Sequence, residues 1–184
     1  TFSYEGIDVL WHDRHTNKLR TGHLLGNRFD IRIRDIDPIK VTTIQKPLDA
    51  MSVQGLPNAF GTQRFGNDEN NHILGAALIA NNFEKLVDII LSGDNRHHHL
   101  AMEGEYKKAF DAWPLGNPVQ QNVLEALASG KDFRVACNRI PKSMQKLWVN
   151  ALQSYIFNQT LRRRQDDGTW NTLLKGDLAG KHDG

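Results

Sequence analysis

The residues best placed by type to do chemistry lie in one short stretch, Gly55-Leu56-Pro57-Asn58-Ala59-Phe60-Gly61-Thr62-Gln63-Arg64-Phe65-Gly66. Its three glycines, one proline and two phenylalanines suit neither a helix nor a central strand. They suit a loop that a ligand approaches closely. Asn58 offers amide donors and a carbonyl acceptor, the complement of a uracil or other base edge. Phe60 and Phe65 are able to stack on bases or to anchor the loop to a core. Arg64 has the charge to meet a phosphate.

Other candidates carry less. His97-His98-His99 invites a metal, but consecutive histidines in a strand face alternate ways. No second pair at helical spacing stands nearby, and the triple reads as a solvated loop. His12 and His15 fall in a turn-like region. Arg162-Arg163-Arg164 reads either as a nucleic-acid-facing patch or as a solvated helix end complementing the helix dipole. Arg28, Arg32 and Arg34 share one strand face, a better electrostatic footprint, weakened by Asp30 on that face. No acid–base pair, Ser/His/Asp order or phosphate-cradling glycine motif is recognisable.

The elements that must hold these residues fall into two styles. Phe29, Ile31 and Ile33 alternate with Arg28, Asp30, Arg32 and Arg34, which predicts a half-buried strand. Gly22 and Gly26-Asn27 are turn signals before it, and Pro38 closes the region. A short helix is expected near Leu48 to Val53. From Asn70 onward the pattern predicts helices at His72–Ala80, Phe83–Leu91, Glu105–Trp113, Val119–Ser129, Lys131–Asn138 and Lys142–Gln165. Asn117 is placed to cap the fourth, with Pro118 at its first position. In the last, Met144, Leu147, Trp148, Ala151, Leu152, Tyr155 and Ile156 form an apolar stripe. Phe83, Tyr106 and Phe133 each open a short helix, the mark of helical hairpins packed on one another. Residues 166–184 are polar and glycine-rich, and read as a loose tail.

Composition narrows the class. The chain has 184 residues, 39% apolar and 24% charged, enough for a real core and too apolar for disorder. Twenty-three basic and 21 acidic residues leave a net charge of +2, and the pI is near 8.7, which permits a nucleic-acid partner without requiring one. No apolar run approaches the ~18 residues of a membrane span. The single Cys137 excludes an internal disulfide framework and a cysteine-based zinc site, and fits a reducing, cytoplasmic compartment. The chain opens at Thr1 without methionine, which points to processing or to a piece of a longer protein. By itself this describes a mildly basic α+β protein with one unusual loop.

The loop carries a more specific resemblance. Asn58-Ala59-Phe60-Gly61-Thr62-Gln63-Arg64-Phe65-Gly66 resembles the N-Y-F-G-x-Q-R-F-G signature of the TruD family of tRNA pseudouridine synthases, with Ala59 where tyrosine is usual. Lys18-Leu19-Arg20-Thr21-Gly22-His23-Leu24-Leu25-Gly26-Asn27-Arg28-Phe29 resembles the family's K-L-R-x-G-x-L-x-G-N-R-F. Ala151-Leu152-Gln153-Ser154-Tyr155-Ile156-Phe157-Asn158 resembles its A-x-Q-S-Y-L-F-N helix. The three motifs occur in family order.

The resemblance implies isomerisation of uridine to pseudouridine, typically at position thirteen of certain tRNAs, without metal or organic cofactor. It implies a target uridine flipped out of its stack. It also implies an α+β fold, with residues 1–66 part of a mixed-sheet catalytic module and residues 67–184 a mainly helical insert domain. Asn58 matches the active-site asparagine, and Phe60, Gln63, Arg64 and Arg28 are the accompanying substrate-binding candidates. The family nucleophile is an aspartate in a G-L-K-D-type motif expected upstream of Thr1; Asp8 and Asp13 do not match it. The chain alone is therefore expected to be inactive, the alternative being an inactive RNA-binding fragment or paralogue. A helical interaction domain is the third reading, and the loop argues against it. A cytoplasmic monomer that binds tRNA and no membrane is expected.

Overall fold

The computed structural model describes residues 11–14, 16–18, 20, 23, 28–92 and 97–178. The turn signals at Gly22 and Gly26-Asn27, His15, and much of the Lys18–Phe29 motif lie outside these residues. The chain divides into two compact units, Thr1–Leu48 and Asp49–Gly184.

In the first unit the described residues form a single 3₁₀ turn, Pro38–Lys40, and the start of helix α1 (Val41–Gln54). Asp37 caps the turn, its carboxylate accepting from the Ile39 N–H at 3.0 Å. α1 is longer than the Leu48–Val53 helix expected, and it carries Pro47 in its interior. None of its residues is buried, so no apolar face ties it to a core.

The strand expected at Arg28–Arg34 is absent, and the α+β, mixed-sheet reading is overturned. Among the described residues there is helix and no strand. Alternation describes a strand face but supplies neither of the things that stabilise one. A strand needs a hydrogen-bonded partner and an apolar surface to cover one face. Here Phe29, Ile31 and Ile33 are 76%, 80% and 66% exposed, so no face is buried.

The second unit is helical: α2 (Asn71–Ile79), α3 (Phe83–Leu91), α4 (His98–Met102), α5 (Tyr106–Ala112), α6 (Pro118–Ala128), α7 (Phe133–Asn138) and α8 (Lys142–Asp166). Three helices start on short polar side chains, of which Asn117 is the expected cap. The Asn82 side chain accepts from the Lys85 N–H at 3.1 Å, and Asp132 accepts from the Val135 N–H at 2.7 Å. Asn117 accepts from the N–H groups of Val119 and Gln120, with Pro118 at the first helical position. Asn81 ends α2 at φ 53°, a left-handed conformation that asparagine tolerates better than most residues.

The core gathers one face from each helix. Leu86 and Leu91 of α3, Val123 and Leu124 of α6, Cys137 of α7 and Ile140 are the largest fully enclosed side chains. Leu74 and Ala77 of α2 and Trp148 of α8 join the same cluster. Phe83, Tyr106 and Phe133, the three aromatic helix-openers, pack against it, with Tyr106 and Phe133 edge-to-face at 6.4 Å. Two part-buried hydrogen bonds link the helices: Trp113 Nε1–H donates to Gln120 Oε1 at 3.1 Å, and Gln120 Nε2 donates to the Ile90 carbonyl at 2.8 Å.

Two further expectations change. His98 and His99 belong to α4 rather than to a solvated loop, and His98 Nε2 lies 4.0 Å from the Asp88 carboxylate. Residues 169–178 are not loose, because Arg164 holds them (below). Among the described residues no group of three His, Cys, Asp or Glu side chains is arranged to hold a metal ion. No helix among them is long and apolar enough to cross a membrane.

The α8 stripe is only half a core stripe. Trp148 and Ala151 are buried, while Leu147, Tyr155 and Ile156 are exposed. Direction accounts for Leu147, which leaves the helix about 100° from its buried neighbour Trp148, and Tyr155 keeps one face on His72 of α2 and the other in solvent; length accounts for the residues beyond it. α8 has 25 residues against nine for α2, so at ~1.5 Å per residue α2 covers well under half of it. Phe157 and Asn158, in the second half of α8, form the platform of the Asn58 loop.

Candidate nucleic-acid interface

The loop begins where Gly55, at φ 79°, ends α1. Pro57 and Ala59 form a tight turn, the Ala59 N–H donating to the Pro57 carbonyl at 3.0 Å. A 3₁₀ turn, Thr62–Phe65, follows, and Gly66 closes it at φ 85°. Glycine suits position 66 because the φ is left-handed; a Cβ there would also lie 2.9 Å from the end of the Asn71 side chain, which can move aside.

The α8 platform grips the middle of this loop. Asn158 Oδ1 accepts from the Phe60 N–H at 2.9 Å, and Asn158 Nδ2 donates to the Phe60 carbonyl, also at 2.9 Å. The neighbouring Phe157 ring meets the Phe60 ring edge-to-face at 5.6 Å. The Arg64 guanidinium lies over the Phe60 ring, 5.1 Å from its centre, a cation–π arrangement. Phe65 behaves differently from Phe60. It turns inward onto His72, ring centres 5.5 Å apart, and His72 stacks on Tyr155 at 4.3 Å. Of the two phenylalanines, Phe65 is the packing residue, and Phe60 keeps 39% of its surface in solvent.

Three shallow grooves meet at Phe60. One, of about 510 Å³, is walled by Asn58, Phe60, Arg64, Gln153, Ser154 and Phe157. A second, of about 400 Å³, runs past Tyr155, Asn158, Gln159 and Arg162. A third, also about 400 Å³, lies between Gln63, Arg64, Asn71 and Leu147. The site therefore offers exposed amides, an accessible aromatic ring and two guanidinium groups along one surface. It is wet and open, suited to a polar polymer rather than to an enclosed small molecule. A further space, about 490 Å³, lies between Lys85, Asp88, Met102, Tyr106 and Phe133 and involves none of the loop residues.

Asn58, Phe60, Gln63 and Arg64 are thus brought together on one compact unit. Arg28 belongs to the other unit. Of the arginine triple, Arg162 borders the second groove, whereas Arg164 turns to the tail. Successive helix residues point ~100° apart, so three in a row cannot form one patch. Apart from the arginine triple, no residue of α8 is expected at the site from sequence, although its motif contains Gln153, Phe157 and Asn158. The available signal was that motif itself, whose polar and exposed aromatic members have no use in an apolar stripe.

A family model described as tRNA pseudouridine synthase D (TruD) matches residues 1–184. The chain belongs to the TruD family. It is 34% identical to tRNA pseudouridine synthase D of Syntrophotalea carbinolica over 187 residues, covering 97% of this chain and 46% of that relative. It is 34% identical to the Geobacter sulfurreducens protein of the same name, covering 97% of this chain and 45% of that one. The chain thus spans a little under half the length of these TruD relatives. A crystal structure assigned to tRNA pseudouridine synthase D from Methanosarcina mazei is similar in fold, with a TM-score of 0.60 at 25% identity, over 69% of this chain and 32% of that one.

Proposed function

We propose that the Asn58 loop is the target-uridine site of a tRNA pseudouridine synthase, and that the full-length enzyme isomerises uridine to pseudouridine in tRNA, whereas these 184 residues alone, with no aspartate in the nucleophile motif, are inactive. The observation that carries this reading is the Asn58–Phe60 segment, exposed at the meeting of three grooves and pinned from behind by Asn158. Family membership and the relatives' names support it. Asn58 then reads the uracil edge, Phe60 offers a stacking face, and Gln63 and Arg64 bind the neighbouring strand. Arg28 is the accompanying RNA-backbone candidate. Residues 1–66 belong by function to catalysis and 67–184 to the insert. The loop nevertheless packs within the helical unit, so that functional division does not follow the compact units. A tRNA-modifying family supports a cytoplasmic place of action, and we take the protein to act as a monomer.

The test is pseudouridine formation in transcribed tRNA, read by mass spectrometry, alongside tRNA binding at several salt concentrations. Binding weakens steeply with salt if phosphates are engaged. Asn58→Ala lowers turnover about tenfold or more, the scale of a lost hydrogen-bonded contact, with the melting temperature unchanged. A large fall in melting temperature instead makes Asn58 a packing residue. Binding without conversion leaves an inactive RNA-binding protein.

A further inference from the structure

We infer that Asn158 is the positioning residue of the uridine site, an inference that rests on the reading of that site just given. Asn158 lies 98 residues beyond Phe60 in sequence and reaches it with both ends of its carboxamide. The amide matches the backbone as a strand partner would, acceptor to N–H and donor to C=O. The orientation of the amide follows from that pairing, since the reverse would set like against like. The Phe60 N–H belongs to the peptide joining Ala59 to Phe60, and the Phe60 carbonyl to the peptide joining Phe60 to Gly61. Two consecutive peptide planes are thereby held, on either side of the Phe60 Cα. Asn58 is one residue from the first held plane, and flexible Gly61 begins at the second. The adjacent α8 residue, Phe157, steadies the ring of the same residue.

Little else fixes this segment. The Ala59 N–H bond to Pro57 is local, and the 3₁₀ turn begins only after Gly61. No other side chain type reproduces the grip. Aspartate keeps the acceptor but sets a second oxygen against the Phe60 carbonyl. Glutamine carries the amide one methylene too far. Leucine fills the volume and satisfies neither group. Asn158 touches the backbone rather than the reacting nucleotide, so it acts through Asn58 and Phe60. It also stands outside the core cluster, so its loss does not unfold the helices.

The experiment compares full-length protein with its Asn158→Leu and Asn158→Asp variants. Hydrogen exchange over a peptide spanning residues 57–64 reads the clamp, and pseudouridine formation reads its consequence. Asn158→Leu is expected to speed exchange at Phe60 at least about tenfold, because the N–H loses its acceptor. Asn158→Asp keeps that acceptor and stays closer to native exchange. Both variants lower kcat by about 10- to 100-fold, the scale of a displacement near 1 Å, with KM within about threefold. The melting temperature moves by less than about 2 °C. Unchanged exchange in Asn158→Leu, or faster exchange with full turnover, overturns the inference. A native protein that makes no pseudouridine sinks the reading of the site instead, and the exchange result still decides whether Asn158 holds the loop.

Discussion

Gly75 of α2 lies directly against the main chain of α8 at Trp148: a Cβ at residue 75 would stand 2.2 Å from the Trp148 carbonyl oxygen and 2.7 Å from its carbonyl carbon. Glycine costs a helix interior about 1 kcal/mol relative to alanine, so its presence at the middle of a nine-residue helix has to be offset. The close crossing offsets it, letting Leu74 and Ala77 of α2 reach the cluster that holds Trp148. Gly75→Ala forces backbone apart rather than bending a flexible side chain. It is expected to destabilise by about 3 kcal/mol, the upper part of the range for overpacking, read as a lower midpoint in urea. A neutral Gly75→Ala would mean that the two helices separate freely.

Arg164 ties the end of α8 to the segment after it. Its guanidinium pairs fork-to-fork with the Asp177 carboxylate at 3.0 and 3.2 Å, and donates to the carbonyls of Thr169 and Thr172. The Leu174 N–H donates to the same carboxylate at 2.9 Å. Arg164→Ala is expected to open residues 169–178 to limited proteolysis while α8 stays folded. The backbone bond from Leu174, then the Arg164 bond, hold the Asp177 carboxyl below its ordinary value of 3.8. A lowered carboxyl favours the docked segment above the ordinary value and loses that contribution as pH falls through the lowered one. Proteolysis of this segment by an acid-active protease should therefore rise below about pH 4, in the native protein and not in Arg164→Ala.

Cys137 is a core residue and not a reactive one. It is 2% exposed, its Sγ lies 3.8 Å from the Phe83 carbonyl, and burial pushes the thiol up to about 11 from 9.0. The thiolate is the reactive form, so a disulfide exchange reagent at pH 8 should label Cys137 only after denaturant is added. The sign of the pH effect follows. Between 9.0 and about 11 the unfolded chain releases this proton and the folded chain keeps it, so stability falls as pH rises through that window. Cys137→Ala should remove that part of the alkaline slope in a urea titration, at the cost of a small cavity. Rapid labelling of the native protein would contradict the burial.

The sequence by itself determined the helical half of the protein and its family. Asn117, a short polar side chain ahead of apolar periodicity, is expected to cap its helix and does; Asn82 and Asp132 cap theirs in the same way, though neither is among the expected caps. Such signals are legible because capping and periodicity are local, decided within one or two turns. Asn58, Phe60, Gln63 and Arg64 were legible as a group for the same reason, lying within seven residues. Three matters were decided only by the tertiary structure. The alternating Arg28–Arg34 segment forms no strand among the described residues, because a strand depends on a partner that its own residues do not specify. The α8 stripe divides because Trp148 and Ala151 face the packed helices while Leu147 and Ile156 do not, a relation between helices rather than a property of one. Asn158 reads in sequence as one more polar residue near a helix end. Only the fold brings it across 98 residues to the Phe60 backbone, since a two-bond grip requires both partners in space.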